Sequence, residues 1–167
     1  MIGQSRNRLI FCWVLLALNV AFIWGNSMLP ASASLALSNW VRQLLVGMSR
    51  NPRRIPAGSG IVRKLAHAVE FAGLGIWLRW LFGMLCKKRQ GYLLLPLAVG
   101  VLCACADEVI QMFVPGRGPG VRDVLIDTGG VVLGILLCGL ALCVFRALRA
   151  RGKKKDPSRR DPAGRIK

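Results

Sequence analysis

Residues 121–145 read VRDVLIDTGGVVLGILLCGLALCVF, a stretch that is apolar almost throughout after its first seven positions. A helix needs about 20 apolar residues to cross the roughly 30 Å hydrocarbon core of a bilayer. The stretch does not alternate polar and apolar residues, as a membrane-spanning β-strand does. It therefore predicts a transmembrane α-helix that carries Asp123 and Asp127 in its first two turns.

Three further stretches have the same apolar character and a similar length. They run from about Leu9 to Trp24, from Ile61 to Cys86 and from Tyr92 to Val114. Only helices and closed barrels satisfy their backbone hydrogen bonds in lipid, so the sequence predicts an all-α integral membrane protein. We expect four transmembrane helices in an antiparallel bundle over residues 9–145, between a short N-terminal segment (1–8) and a basic tail (146–167) without ordered structure.

The first apolar stretch has two readings. Arg6 and Arg8 precede it, and Ala31-Ser32-Ala33 resembles the A-x-A cleavage site of a secretory signal peptide. The A-x-A sequence lies several residues beyond the apolar core, which is itself long for a signal peptide. We therefore favour a retained membrane anchor over a cleaved signal.

The composition supports this class of protein and excludes others. The chain is 54% hydrophobic and carries 24 Lys and Arg against 7 Asp and Glu, for a net charge of +17. Such hydrophobicity excludes intrinsic disorder of the whole chain. Much of the positive charge lies in the tail, so the charge predicts contact with anionic membrane lipids rather than with nucleic acid. The six cysteines lie in or beside apolar stretches and have no metal-ligand spacing, so we expect free thiols.

The segment between the first two spans contains a weaker helical pattern. Its apolar residues recur at roughly helical spacing from Leu35 to Met48, with polar residues between them. This predicts a short amphipathic helix, which either lies on the membrane surface or caps the bundle.

Short loops rich in Lys and Arg indicate which side faces the cytoplasm. The N-terminal segment, the loop at 87–91 and the tail at 146–167 are basic and would share one side of a four-span protein. We therefore expect both termini in the cytoplasm, and residues 30–60 and 115–122 outside. The first outer loop and the start of the second span are also basic, through Arg42, Arg50, Arg53, Arg54, Arg63 and Lys64. This departure from the usual bias suggests an anionic ligand outside.

Polar side chains within the spans share one depth. Five of the seven acidic residues and the single histidine lie near the same ends of alternating helices, namely His67, Glu70, Asp107, Glu108, Asp123 and Asp127. A charge well inside a bilayer costs about 2.5–3.5 kcal/mol even on the lenient insertion scale. These groups must therefore be paired with one another or hydrated in a cavity.

The spacing of these residues groups them by helix face. Lys64, His67 and Glu70 are three apart, as are Glu108 and Gln111, whereas Asp123 and Asp127 are four apart. Residues three or four apart lie on one helix face. The sequence therefore predicts that the three polar stripes converge on one cavity.

The connection between the last two spans reads PGRGPG over residues 115–120. Such a turn can expose backbone N–H groups as an anion-binding nest, to which Arg117 adds a bidentate donor. Alternatively, it is a plain hairpin turn in which Arg117 pairs with Asp123 or Glu108. On the last span, Gly130 and Gly134 form a small-xxx-small pattern that predicts close helix packing.

In combination, these motifs resemble the VanZ-like family of bacterial membrane proteins. The resemblance covers roughly residues 10–145 and rests on Asn26-Ser27-Met28-Leu29-Pro30, Arg63-Lys64-Leu65-Ala66-His67 with Glu70-Phe71, Asp107-Glu108 with Gln111, Phe113 and Pro115-Gly116-Arg117, and Asp123 with Asp127, Gly130 and Gly134. The family takes its name from a protein associated with resistance to teicoplanin, a lipoglycopeptide antibiotic. The resemblance implies a role in the envelope of a bacterial cell, in its plasma membrane, and it supplies no established reaction.

Three functions compete for the polar cluster. As an enzyme, the protein would use His67 as a general base oriented by Glu70, with Glu108 as an acid or second base. As a binding protein, it would hold an anionic or lipid-linked envelope component, or a lipoglycopeptide, through Lys64, Gln111, Arg117, Asp123 and Asp127. As a scaffold, it would use the buried ion pairs only to fix helix register. A metal-binding variant would use His67, Glu70, Glu108 and Asp123, but we expect no cofactor or metal.

Overall fold

The computed structural model describes residues 2–49, 59–86, 88, 90–118 and 120–155 of the 167-residue chain. All regular secondary structure in these ranges is helical, which confirms the predicted all-α class. The helices are α1 (Ile2–Ser27), α2 (Ala31–Met48), α3 (Ser59–Leu85), α4 (Gly91–Met112) and α5 (Val121–Lys155). Four of them, all except α2, are long and apolar enough to span a membrane.

Two helices extend beyond the predicted spans. α1 begins at Ile2, so Arg6 and Arg8 are part of the first helix rather than of a separate segment. α5 continues to Lys155, ten residues beyond Phe145, because no proline interrupts the chain there. The first part of the predicted tail is therefore helical, and residues 156–167 lie outside the described residues.

α3 is the central helix of the bundle and contacts each of the other four helices. Its side chains Phe71, Leu74, Leu78 and Leu81 are almost fully buried and form the core with residues of α1, α4 and α5. Many leucines, valines and phenylalanines on the outer faces of the bundle are exposed. Such an apolar exterior suits lipid rather than water.

The glycine pattern of α5 produces close contact with α3. A Cβ atom added at Gly130 would overlap the carbonyl oxygen of Ala68, and one added at Gly134 would overlap that of Ala72. The predicted close packing at these two glycines is confirmed. It brings the first turns of α5, which carry Asp123 and Asp127, against the first turns of α3.

α2 lies between the first two spans, as predicted, and packs against α3. Ser34 and Ser38 are its buried residues, whereas Leu35, Trp40, Leu44 and other large apolar side chains are exposed. The helix therefore caps the bundle with its serine face and presents an apolar face outward. Such an outward face is typical of helices that lie at a membrane interface. The helix thus has features of both predicted alternatives, because one face caps the bundle and the other has the apolar character of a surface helix.

All six cysteines carry free thiols, which confirms the reading of the cysteine pattern. Cys12 is fully buried in the core, and its thiol lies 3.7 Å from the backbone carbonyl of Trp77 on α3. It acts as a small apolar residue at the α1–α3 interface.

Candidate functional site

The polar side chains predicted to share one depth lie at one end of the bundle. α1 and α4 contribute their C-terminal turns and α3 and α5 their N-terminal turns, because consecutive spans run in opposite directions. The candidate residues found at this end are Lys64, His67, Glu70, Glu108, Gln111, Arg117, Asp123 and Asp127. They surround two cavities rather than the single cavity that the sequence predicted.

The smaller cavity lies among α3, α4 and α5 and has a volume of about 10 Å³. This space holds about one water molecule or ion. It is lined by Arg63, Lys64, His67, Glu108, Gln111, Asp123, Ile126 and Asp127. Most of the predicted site residues therefore converge, and Glu70 and Arg117 are the two candidate residues that do not line this cavity.

The larger cavity has a volume of about 280 Å³ and lies among α1, α2 and α3. Its apolar wall is formed by Phe22, Leu29, Leu37, Val41, Val62 and Ala66. Its polar side chains are Asn26, Ser34, Ser38, Arg63, His67, Glu70 and Arg117. An apolar surface thus adjoins a group of basic and hydrogen-bonding side chains in one space.

His67 and Arg63 line both cavities, so the first turns of α3 form the wall between them. The Nδ1 atom of His67 lies 4.0 Å from Oε2 of Glu70. This separation exceeds a hydrogen bond, so the predicted orientation of His67 by Glu70 is electrostatic in this structure. Both side chains are largely buried, with exposed fractions of 13% for His67 and 12% for Glu70.

Asn26, at the end of α1, connects three parts of the site. Its side-chain amide donates a hydrogen bond of 2.7 Å to Oε1 of Glu70, and its backbone carbonyl accepts one of 3.1 Å from Nη2 of Arg117. Asn26 was not among the site residues predicted from the sequence. Its signal was available, because Asn26 and Ser27 form a polar pair where an apolar span ends.

The turn between α4 and α5 places Arg117 over the larger cavity. Gly116 has a φ of +75°, a conformation that glycine adopts without strain. The Ala31 backbone N–H donates to the Pro115 carbonyl, which joins this turn to the start of α2. Among the described residues, the buried Nε and Nη1 atoms of Arg117 have no hydrogen-bond partner.

Arg117 remains available as a cation. Burial is the main cause that lowers the pKa of its guanidinium from the usual value, and the neighbouring charge of Arg63 acts in the same direction. An arginine nevertheless stays protonated in proteins. Arg117 therefore brings a permanent charge and free donors to the larger cavity.

Of the two alternatives for the turn, the pairing of Arg117 with Asp123 or Glu108 is not the one found. Asp123 forms an ion pair with Lys64, with Oδ1 and Nζ 2.7 Å apart. Oε2 of Glu108 accepts a hydrogen bond of 2.7 Å from the backbone N–H of Gly120. Both carboxylates thus make contacts that hold the start of α5. The guanidinium of Arg117 instead donates to the backbone carbonyl of Asn26.

Asp107 lies at the centre of the polar end and is fully buried. Its Oδ2 atom accepts a hydrogen bond of 2.7 Å from Nε2 of Gln111, which also lies 3.4 Å from Oγ of Ser27. Asp107 was predicted to lie with the other acidic residues of the spans but was not among the predicted site residues. Its i,i+4 relation to Gln111 was the signal that could have selected it.

Asp107, Asp127 and His67 form a group of possible metal ligands. One carboxylate oxygen from each aspartate and one ring nitrogen of His67 all lie within 4.8 Å of one another. The metal-binding variant derived from the sequence named Glu70, Glu108 and Asp123 beside His67, and these three residues are not part of the group. The sequence identified His67 and Asp127 as candidate site residues but did not group them with Asp107 as metal ligands, because contacts between helices decide which acids meet.

Comparisons with known proteins agree with the resemblance drawn from the motifs. The family model described as VanZ/LLP1 matches residues 9–143. No similar curated protein and no similar solved structure was found. Because the match covers most of the chain, the chain belongs to the VanZ/LLP1 family of membrane proteins.

Proposed function

Starting from membership of the VanZ/LLP1 family, we propose that this multi-pass membrane protein binds an anionic, lipid-linked component of the bacterial cell envelope. By binding it, the protein lowers the sensitivity of the cell to lipoglycopeptide antibiotics. The observation that carries the proposal is the larger cavity, in which an apolar wall adjoins half-buried basic side chains.

The size and lining of this cavity suit an amphiphile. Its volume of about 280 Å³ is close to the lower end of ordinary ligand pockets, which is roughly 300 Å³. A phosphate head group would meet Arg63 and Arg117, and the first units of a lipid chain would lie along Phe22, Leu37 and Val41. Arg117 supports this choice most strongly, since two of its buried nitrogen atoms have no partner among the described residues.

The proposed orientation gives the ligand access from outside the cell. With both termini in the cytoplasm, the polar end of the bundle faces outward, where envelope precursors are used. Arg63 and Lys64 then lie on the side where basic residues are usually scarce. An anionic ligand supplies a physical reason for their position, because both side chains line cavities at this end.

Binding is better supported than catalysis. An acid–base mechanism would use His67, Glu70 and Glu108, but Oε2 of Glu108 already accepts the Gly120 N–H. His67 also lacks a hydrogen bond from its Nδ1 atom to any described residue. We therefore assign these residues to the binding site and do not assign a reaction.

A scaffold is the second candidate, and the hydrogen bonds and ion pairs that join the elements favour it. Asn26 joins α1 to α3, Lys64 joins α3 to α5, and Gln111 joins α4 to α1. In that role the polar cluster would only fix helix register. Breaking a buried charge pair then costs about 3–5 kcal/mol of stability.

The experiment compares drug tolerance with protein level in cells that produce each variant. Arg117→Ala and Arg63→Gln should lose tolerance to teicoplanin while the amount of protein in the membrane stays normal. Arg122→Ala is the matched control, because Arg122 is exposed on the first turn of α5 and lines neither cavity. If tolerance and protein level fell together in both site variants, the scaffold reading would replace the proposal.

A further inference from the structure

The buried centre of the polar end contains two carboxylates, those of Asp107 and Asp127, that do not line the larger cavity, and they lie beside His67, which does. Asp107 and Asp127 have exposed fractions of 0% and 2%, and a ring nitrogen of His67 lies with one oxygen of each within 4.8 Å. These three side chains come from α4, α5 and α3. Three helices thus direct two carboxylates and an imidazole to one point.

We propose that His67, Asp107 and Asp127 bind a divalent transition-metal cation, such as Zn²⁺ or Mn²⁺. An imidazole with two carboxylates is a donor set for cations of borderline hardness, whereas Mg²⁺ and Ca²⁺ prefer oxygen alone. In occupied zinc sites the ligand atoms lie about 2.0–2.2 Å from the ion. The ligand atoms of the three side chains lie within 4.8 Å of one another, so small side-chain rotations would suffice to bring them to such distances.

A second observation points to the same ligand. Oδ1 of Asp107 is buried in a side chain that has no exposed surface, and it has no hydrogen-bond partner among the described residues. A buried carboxylate oxygen without a donor costs several kcal/mol unless a cation or proton neutralises it. The other oxygen, Oδ2, accepts from Gln111. A ligating carboxylate held by one hydrogen bond is common around metal ions.

The local charge also favours a cation. Four carboxylates line the two cavities and Asp107 lies beside them, against three basic side chains (Glu70, Glu108, Asp123 and Asp127 with Asp107, against Arg63, Lys64 and Arg117). When all of these described residues are ionised and His67 is neutral, together they carry a net charge of −2. One divalent cation balances this charge.

The surroundings of these three side chains fit a metal site in which one coordination position is left for a water molecule. His67 and Asp127 both line the smaller cavity, whose volume of about 10 Å³ holds about one water molecule. Three protein ligands and one water is the usual set at accessible zinc sites. If Nε2 of His67 binds the ion, Nδ1 is left 4.0 Å from Glu70, the type of partner that metal-binding histidines have.

The test measures metal binding by the purified full-length protein, free of any histidine tag and treated with a chelator. We expect the wild-type protein to bind about one equivalent of Zn²⁺ or Mn²⁺ in calorimetry and to gain thermal stability from it. With Mn²⁺, electron spin-echo spectra should show nitrogen from a bound imidazole. Absence of binding to the wild-type protein, or binding of Mg²⁺ or Ca²⁺ only, would overturn the proposal.

Asp107→Asn, Asp127→Asn and His67→Gln separate this site from non-specific binding. Each should weaken binding by at least about 10-fold, since even loss of a group that only orients a ligand costs 10–100-fold. Arg122→Ala is the control, because Arg122 is exposed on the first turn of α5 and lines neither cavity. Equal loss in the control, or a nitrogen signal that persists in His67→Gln, would place any bound metal elsewhere.

Discussion

The carboxylate of Glu108 stabilises the start of α5 through a hydrogen bond that does not need the negative charge. Its Oε2 atom accepts the backbone N–H of Gly120, the residue directly before α5. An uncharged acceptor of the same shape can hold this N–H equally well. The role of Glu108 at the start of α5 can therefore be separated from any role in binding.

We predict that Glu108→Gln keeps the thermal stability of the wild-type protein and that Glu108→Ala does not. The alanine leaves the Gly120 N–H without an acceptor, which costs about 1–3 kcal/mol. Thermal unfolding of both variants in the same detergent measures the difference. Equal destabilisation by the two substitutions would mean that the charge of Glu108, rather than its hydrogen bond, holds the turn.

Among single residues, the sequence predicted the charged members of the candidate site better than the uncharged side chains that hydrogen-bond to them. His67, Glu108 and Asp123 stand out because a charge in an apolar span is costly. Asn26 could not be selected by this criterion, since an uncharged amide at the end of a transmembrane span carries no comparable energetic cost. Its importance depends on the position of Glu70 on another helix, 2.7 Å from its side-chain amide.

The elements of the bundle are held in place by glycines on α5. Gly130 lies against the Ala68 carbonyl of α3, whereas the adjacent Gly129 has open space around its Cα atom. The two neighbouring positions therefore differ only in the helix face that they occupy. They form a natural pair for testing the α3–α5 contact.

We predict that Gly130→Ala destabilises the protein by about 1–3 kcal/mol, the usual cost of overpacking. Gly129→Ala should leave stability unchanged or raise it by up to about 1 kcal/mol, because alanine is the better helix former. Unfolding of the detergent-solubilised protein, followed by circular dichroism, tests both. Equal effects of the two substitutions would contradict the close approach of α3 and α5.

The helices could be predicted from hydrophobicity, but two of their features could not. Apolar runs marked the four spans, and the length of α5 was underestimated because the runs end where the charges begin rather than where the helix ends. For α2, helical spacing predicted the element but not that Ser34 and Ser38 would be its buried residues. Only packing against α3 decides which face is covered.

At the scale of the whole molecule, the proposed function requires that the polar end of the bundle faces away from the cytoplasm. We predict that a cysteine at position 118, in an otherwise cysteine-free protein, reacts with a membrane-impermeant thiol reagent in intact cells. A cysteine at position 89 should react only after the cells are opened. The Lys and Arg bias of the loop at 87–91 and of the tail is the reason. The reverse pattern would invert the orientation.

The division of the polar end into two cavities could not be predicted from the sequence. Shared depth and helical spacing indicate that polar stripes meet, but they do not specify what lies on each side of a helix. α2 provides one wall of the larger cavity, through Leu37 and Val41, and its position depends on the whole fold. This wall is what makes the cavity amphiphilic.

The central claim is that the larger cavity binds a lipid-linked anion, and the most direct measurement is binding of undecaprenyl phosphate to the purified protein by native mass spectrometry. We predict one bound molecule that a zwitterionic phospholipid does not displace. Arg117→Ala should weaken binding by about 10–100-fold, which corresponds to the loss of a charge-assisted hydrogen bond of about 1.5–3 kcal/mol, and Arg122→Ala should have no effect. Equal affinity of the wild-type protein and Arg117→Ala, or no preference over the zwitterionic lipid, would contradict the account.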